Sequence, residues 1–185
     1  MIVCLAANPS IDKLFEVDRL IKGDIHRPRG LVATAGGKGL NVARAAHVLG
    51  GEATAVSLLR GHAGKWLEEQ LSAEGVPGVF VWTHGENRSS LSVADRESGG
   101  LTEFYEHGSV VPSAAWVELV HAAASLFPRA GWLTISGSAR FGTRILVTKR
   151  SQNSTTSTMS LAKSRDGRSR QTQIWLSITI SITIM

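Results

Sequence analysis

The residue types best suited to chemistry are concentrated in one string, Ala35-Gly-Gly-Lys-Gly-Leu-Asn-Val-Ala-Arg-Ala45. Gly36, Gly37 and Gly39 let the backbone approach a ligand closely and take positive φ. Lys38 adds a compact point charge suited to a phosphate. A helix beginning here would turn its free N–H groups and positive dipole end toward an anion. Asn41 would then present an amide from the first turn. Two familiar phosphate loops do not fit. A Walker A loop needs Ser or Thr after Gly-Lys, but Gly39 follows Lys38, and Val32 occupies the position of its first glycine. A dinucleotide fingerprint starting at Gly37 needs Gly or Ala where Val42 stands. The plainer alternative is a glycine turn that packs a helix on a sheet, with Lys38 solvated.

Four further polar residues stand in short polar or glycine-containing contexts. Asp12 closes Asn8-Pro-Ser-Ile-Asp12, and Ser138 closes Ile135-Ser-Gly-Ser138. Arg27 and Arg88 carry planar guanidinium forks. Each also has an ordinary reading. Asp12 could be a turn cap. Arg27 sits in a loop with His26, Pro28 and Arg29, and Arg88 in Asn87-Arg-Ser reads as a surface turn.

The elements that must position these residues alternate between strand and helix. Ile2 to Ala7 is a near-continuous apolar run, as for a buried strand. Asp12 to Val17 mixes apolar and polar residues, as for an exposed strand. Helices are expected over Lys38 to Leu49, stopped by Gly50-Gly51, over Ala63 to Glu74, and from Ser113 as N-cap through Phe127. Strands are expected at Ala53 to Leu59, Val79 to Trp82 and Trp132 to Ile135. Ser90 to Asp95 and Leu101 to His107 flank Glu97-Ser-Gly-Gly100 as a hairpin. This alternation predicts an α/β fold, a largely parallel sheet with helices on both faces. The hairpin stands outside that rhythm and predicts a small β appendage that could act as a lid.

Composition divides the chain. Of its 19 Gly, 18 precede Arg144, while residues 144–185 hold 15 Ser or Thr, seven Lys or Arg, and Asp166 alone as an acid. The net charge of +5 therefore resides in this segment, and residues 1–143 are close to neutral. Charge in a tail says little about the partner of a fold. The five Trp are scattered and make no stacking platform with the basic tail, so a nucleic-acid partner is not expected. Ile174 to Ile184 alternates strictly between Ile or Leu and polar or Trp positions, the period of a strand, and would be an aggregation hazard if unpaired. Cys4 alone excludes a disulfide framework and a cysteine zinc site, and the six His show no metal-ligand spacing. No apolar run reaches the roughly 18 residues of a membrane span. No membrane partner and a cytoplasmic location are the expectation.

Three motifs in order, Asn8-Pro-Ser-Ile-Asp12, Gly36-Gly-Lys-Gly-Leu-Asn-Val-Ala-Arg44 with Leu49-Gly-Gly51, and Ile135-Ser-Gly-Ser138, resemble the ribokinase-like sugar kinases of the PfkB family. The branch most similar is that of 1-phosphofructokinase and tagatose-6-phosphate kinase. The resemblance runs from about Met1 to Ser138. It implies an α/β domain with a small β lid, formed by strands near 12–34 and 88–107, that closes over a sugar phosphate. It implies ATP and Mg²⁺ as cofactors, with a homodimer through the lid. By resemblance Asp12 accepts hydrogen bonds from sugar hydroxyls, Gly36, Gly37 and Asn41 contact the sugar, and Ser138 lies beside it. Arg27 and Arg88 grip the phosphate already on the substrate, and Lys38 is common in this branch.

The resemblance also implies a second half that carries the nucleotide site and a Gly-Ala-Gly-Asp motif, whose Asp acts as the catalytic base. No Gly-x-Gly-Asp occurs in these 185 residues. The expectation is a kinase fold truncated after about Ser138, with 144–185 a low-complexity basic tail outside the family's reading frame. Phosphoryl transfer depends on positioning and charge neutralisation, so a chain without those parts is expected to bind substrate with little or no turnover. The alternative is a non-catalytic sugar-phosphate-binding or subunit-interaction fragment. A half-sheet would leave an unpaired edge after Ile135, which the Ile174 to Ile184 strand could cap.

Overall fold

A computed structural model describes residues 1–137 and, as backbone, three further strands at 143–148, 158–163 and 178–181. The main sheet is built first from β1 (Ile2–Ala6), β4 (Ala53–Leu59), β5 (Gly78–Trp82) and β8 (Trp132–Ser136), all parallel. Its order is completed by β11 (Ile178–Ser181) as β11-β8-β1-β4-β5. Every residue of β4 is buried, as expected for an interior parallel strand covered on both sides.

Side-chain alternation along β1 sorts the core into two layers. Val3, Leu5 and Ala7 pack with Val56, Leu58, Trp116 and Leu119, under α3 (Ser113–Ser125). Cys4 and Ala6 face the other way, into Leu40, Ala43, Leu67 and Leu71 of α1 (Lys38–Val48) and α2 (Gly61–Ala73). Helices thus cover both faces of the sheet, as the alternation of elements predicts. Close approach of α1 to β1 depends on Gly39, where a Cβ would lie 2.6 Å from that of Ala6.

The β appendage expected as a lid is a separate four-stranded sheet of order β3-β2-β6-β7. β2 (Ser10–Val17) pairs antiparallel with β3 (Gly30–Gly36) and parallel with β6 (Arg88–Asp95), which pairs antiparallel with β7 (Leu101–Tyr105). Segments distant in the chain meet across this sheet. One row of its register holds Thr34, Asp12, Ser90 and Tyr105 side by side.

Two expectations change at element ends. Ser113 is the first residue of α3 and not its cap; Pro112, in extended conformation, occupies the capping position. The α-helix stops at Ser125, and Phe127–Arg129 forms a 3-10 turn. Pro128 supplies the reason, since it has no N–H to donate and disfavours α conformation in the residue before it.

The sheet edge beyond β8 is paired. β11 runs antiparallel to β8, with Ile178 opposite Ile135 and Ser181 opposite Trp132. β9 (Thr143–Thr148) and β10 (Thr158–Lys163) form an antiparallel pair of their own. The remainder of the expected 174–184 strand lies outside the described residues.

Candidate functional site

The site grows from the junction of the lid with the main sheet. After β1 the chain turns at Asn8-Pro9 and enters β2 at Ser10, which is fully buried. The Ser10 hydroxyl donates to Asp12 Oδ1 at 2.6 Å, and the Gly37 N–H reaches Oδ2 at 3.4 Å. The carboxylate is therefore aimed by one lid strand and by the start of α1. Gly37 occupies the N-cap of α1 at φ 95°, ψ 138°. That conformation is open to glycine, and a Cβ there would stand 3.0 Å from Pro9 Cα. Gly36 is needed for another reason: its Cβ would fall 1.9 Å from Asp12 Oδ2. The α1 N-terminus is thus held open beside a fixed carboxylate, as the glycine string predicts.

Lys38 is the first residue of α1 and is exposed. Asn41 follows within the first turn, also exposed, and its N–H closes on the Gly37 carbonyl at 2.9 Å. Asp12, Gly36, Gly37, Lys38 and Asn41 therefore share one end of the molecule.

Arg88 joins them through the lid register. It is the first residue of β6, opposite Ser10, and its Nη1 donates to the Ser90 hydroxyl at 2.8 Å. The surface-turn reading of Asn87-Arg-Ser is corrected here. Asn87 is buried, and its amide is clamped between the Arg60 N–H at 2.7 Å and the Leu58 carbonyl at 3.2 Å. Arg88 is consequently fixed on a strand and half-buried. Burial pulls its guanidinium pKa down, and the negative fields of Asp12, Tyr105 and Glu106 oppose that shift. Its Nε is buried with no protein partner. A desolvated donor left unmade is costly, and an anion would satisfy it.

Not every expected residue arrives. Arg27 is exposed in the connection between β2 and β3, beyond the end of that hairpin away from Gly36. Ser138 lies outside the described residues. Reading the sequence also missed Ser10, Ser90 and Arg60. Ser10 belongs to the quoted Asn-Pro-Ser-Ile-Asp motif and could have been found there. Arg60 carried a usable signal too, as a charge directly after an apolar strand. Ligands of open α/β sheets gather at the carboxyl ends of strands.

A carboxylate set on a strand and a glycine-opened helix start bring the first two motifs together, and the half-buried Arg88 sits opposite Ser10 of the first. The sequence pattern of pfkB family carbohydrate kinases matches residues 2–177. The chain belongs to the pfkB family of carbohydrate kinases. Among its relatives, a 1-phosphofructokinase of Haloferax volcanii is 34% identical over 124 residues, covering 66% of this chain and 40% of the relative. A tagatose-6-phosphate kinase of Staphylococcus epidermidis is 30% identical over 138 residues, covering 75% of this chain and 44% of the relative. Phosphofructokinase-2 from Escherichia coli, solved in complex with fructose-6-phosphate, superposes with a TM-score of 0.66 at 29% identity, over 75% of this chain and 45% of that one. This pfkB chain thus spans less than half the length of the relatives it matches.

Among the described residues of this pfkB chain, no three His, Cys, Asp or Glu side chains gather that could hold a metal ion. They offer Mg²⁺ no such ligand set. No helix among them is long and apolar enough to cross a membrane.

Proposed function

We propose that this chain is the sugar-phosphate-binding half of a kinase that phosphorylates a ketohexose phosphate of the fructose 1-phosphate or tagatose 6-phosphate type. The observation that carries the reading is the Asp12 carboxylate. Its two oxygens are oriented by Ser10 and Gly37, and the half-buried Arg88 guanidinium lies in its field. A carboxylate accepts up to about four hydrogen bonds. Two are supplied by the protein, so capacity remains for sugar hydroxyls. Arg88 Nε, buried without a protein partner, suits the phosphate already on the sugar. Arg27 is a second candidate for that phosphate, reached only if the β2–β3 connection closes on the site.

ATP and Mg²⁺ would supply the transferred phosphoryl group and neutralise its charge. These 185 residues contain no Gly-x-Gly-Asp, so this chain's own contribution is to bind, orient and screen the sugar phosphate, with little or no turnover alone. The lid exposes Leu31, Val32, Leu101, Phe104 and Tyr105. Such an apolar surface on a two-sided sheet supports a homodimer through the lid.

Isothermal titration of the full chain with fructose 1-phosphate and tagatose 6-phosphate tests this reading. Asp12→Asn should keep the side chain's shape and weaken binding at least tenfold. Equal affinity of Asp12→Asn and the unaltered chain would overturn the assignment.

A further inference from the structure

Arg44 closes the glycine motif but stands well inside α1, two turns beyond Gly37 at about 3.6 residues per turn. Side chains in a helix lean back toward its N-terminus. Arg44 does so, and its Nη1 donates to the Ala35 carbonyl at 3.3 Å. Ala35 is fully buried and directly precedes the Gly36-Gly37 turn.

The same guanidinium has a second partner. Its Nε donates to the carboxylate of Glu74, the C-cap residue of α2, and both side chains are partly buried. That end of α2 is fixed. The Val76 N–H returns to the Leu71 carbonyl at 2.9 Å, Gly75 takes φ 73°, and Leu71 is fully buried. A helix C-terminus is the wrong end for a carboxylate, because the dipole is negative there, and Arg44 offsets that charge. As an ion pair alone this would be a minor tie between two helices, since partly exposed pairs contribute little. The bond to Ala35 is one that a tie between helices does not need. A planar fork can serve a carboxylate and a carbonyl at once from fixed directions, which a single ammonium does not.

From Ala35 the path to the site is short. Gly36 lies against the Asp12 carboxylate, and Gly37 donates to Asp12 Oδ2 at 3.4 Å. A bond of that length is close to the limit, so a small rotation of the turn would break it. We propose that Arg44 is a positioning residue: anchored on Glu74, it holds the Ala35 carbonyl and so keeps the Gly37 N–H on Asp12. It acts through Asp12 and not on the ligand. The proposal rests on the sugar-phosphate reading only where affinity is measured.

The amide proton resonance of Gly37, followed by NMR in the full chain, reads the bond itself. Asp12→Asn removes the charged acceptor and should move the resonance upfield. Arg44→Met should move it in the same direction, and no further in the Asp12→Asn background, as residues of one coupled unit do. Arg44→Lys keeps a charge opposite Glu74 without the fork. It too should move the resonance, and it decides the matter if Arg44→Met does not fold. Affinity for fructose 1-phosphate, by titration calorimetry, should fall about fivefold in Arg44→Met and no further when Asp12→Asn is already present.

A Gly37 resonance in Arg44→Lys at its place in the unaltered chain would overturn the proposal, because a plain ion pair would then suffice. An equal shift from Arg44→Met with and without Asp12→Asn would also overturn it, since the effect would not pass through Asp12. If the resonance responds as expected and the unaltered chain does not bind fructose 1-phosphate, the proposal stands and the sugar-kinase reading falls. If fructose 1-phosphate binding depends on Asp12 and both Arg44 variants leave the resonance in place, the sugar-kinase reading stands and this proposal falls.

Discussion

Gly36 and Asp12 share one volume. A Cβ on Gly36, at the end of β3, would stand 1.9 Å from Oδ2 of Asp12 and 2.1 Å from its carboxyl carbon on the neighbouring strand β2. The close approach lets the carboxylate lie over the start of α1, where it receives the Gly37 N–H. A glycine in one lid strand is thus the condition for the orientation of an acid in the next.

Gly36→Ala separates that role from folding. Gly36 does not have positive φ, so alanine fits its backbone. The clash falls on the far end of a side chain that can rotate away. Asp12 would then lose its bonds from Ser10 and Gly37. Stability should fall by about 2–3 kcal/mol, the scale of two hydrogen bonds to a partly exposed carboxylate, while sugar-phosphate affinity falls as far as in Asp12→Asn. Urea unfolding with titration calorimetry measures both. Unchanged binding in Gly36→Ala would show that the Asp12 orientation is irrelevant.

Asn87 should behave in the opposite way, as a structural clamp. Its amide serves the Arg60 N–H and the Leu58 carbonyl, both in buried surroundings. Truncation in Asn87→Ala leaves both groups without that partner, at a cost of about 2–4 kcal/mol. Asn87→Asp retains the acceptor for the Arg60 N–H but sets a buried carboxylate oxygen against the Leu58 carbonyl, so its loss should be at least as large. The urea midpoint reads the difference. Equal and small losses in both variants would mean that the lid base is held elsewhere.

The pairing of β11 with β8 predicts association behaviour. Without β11, one edge of β8 presents unpaired N–H and C=O groups, a template for another chain. Deleting residues 178–185 should increase self-association, seen as heavier species in sedimentation velocity at micromolar concentration. A deletion variant as monodisperse as the full chain would show that β11 does not protect that edge.

Much of this architecture was legible from residue order. The apolar run of β1, the alanine-rich α1 between glycines, and the Glu97-Ser-Gly-Gly100 turn each carry their own local signal, because helix, strand and turn preferences act over a few neighbouring residues. The glycine string likewise announced a helix start that could face an anion. Its partner acid was named through the motif around Asp12.

What depended on tertiary structure is which of these residues meet. Asp12 and Ser90 become neighbours only because β2 and β6 pair in parallel. Such a register is set by non-local hydrogen bonding and by which face of each strand is buried, and no short window of sequence records it. Asn87-Arg-Ser looks like a surface turn by composition, yet Asn87 is buried because the end of β4 needs its amide. Arg60 is a single charge in the sequence. The fold sets it between β4 and α2, where the buried Asn87 amide oxygen accepts from its N–H. The sequence by itself determined the elements and the family. The tertiary structure decided the site, because burial and pairing across distant strands set what each charge costs and what it can bind.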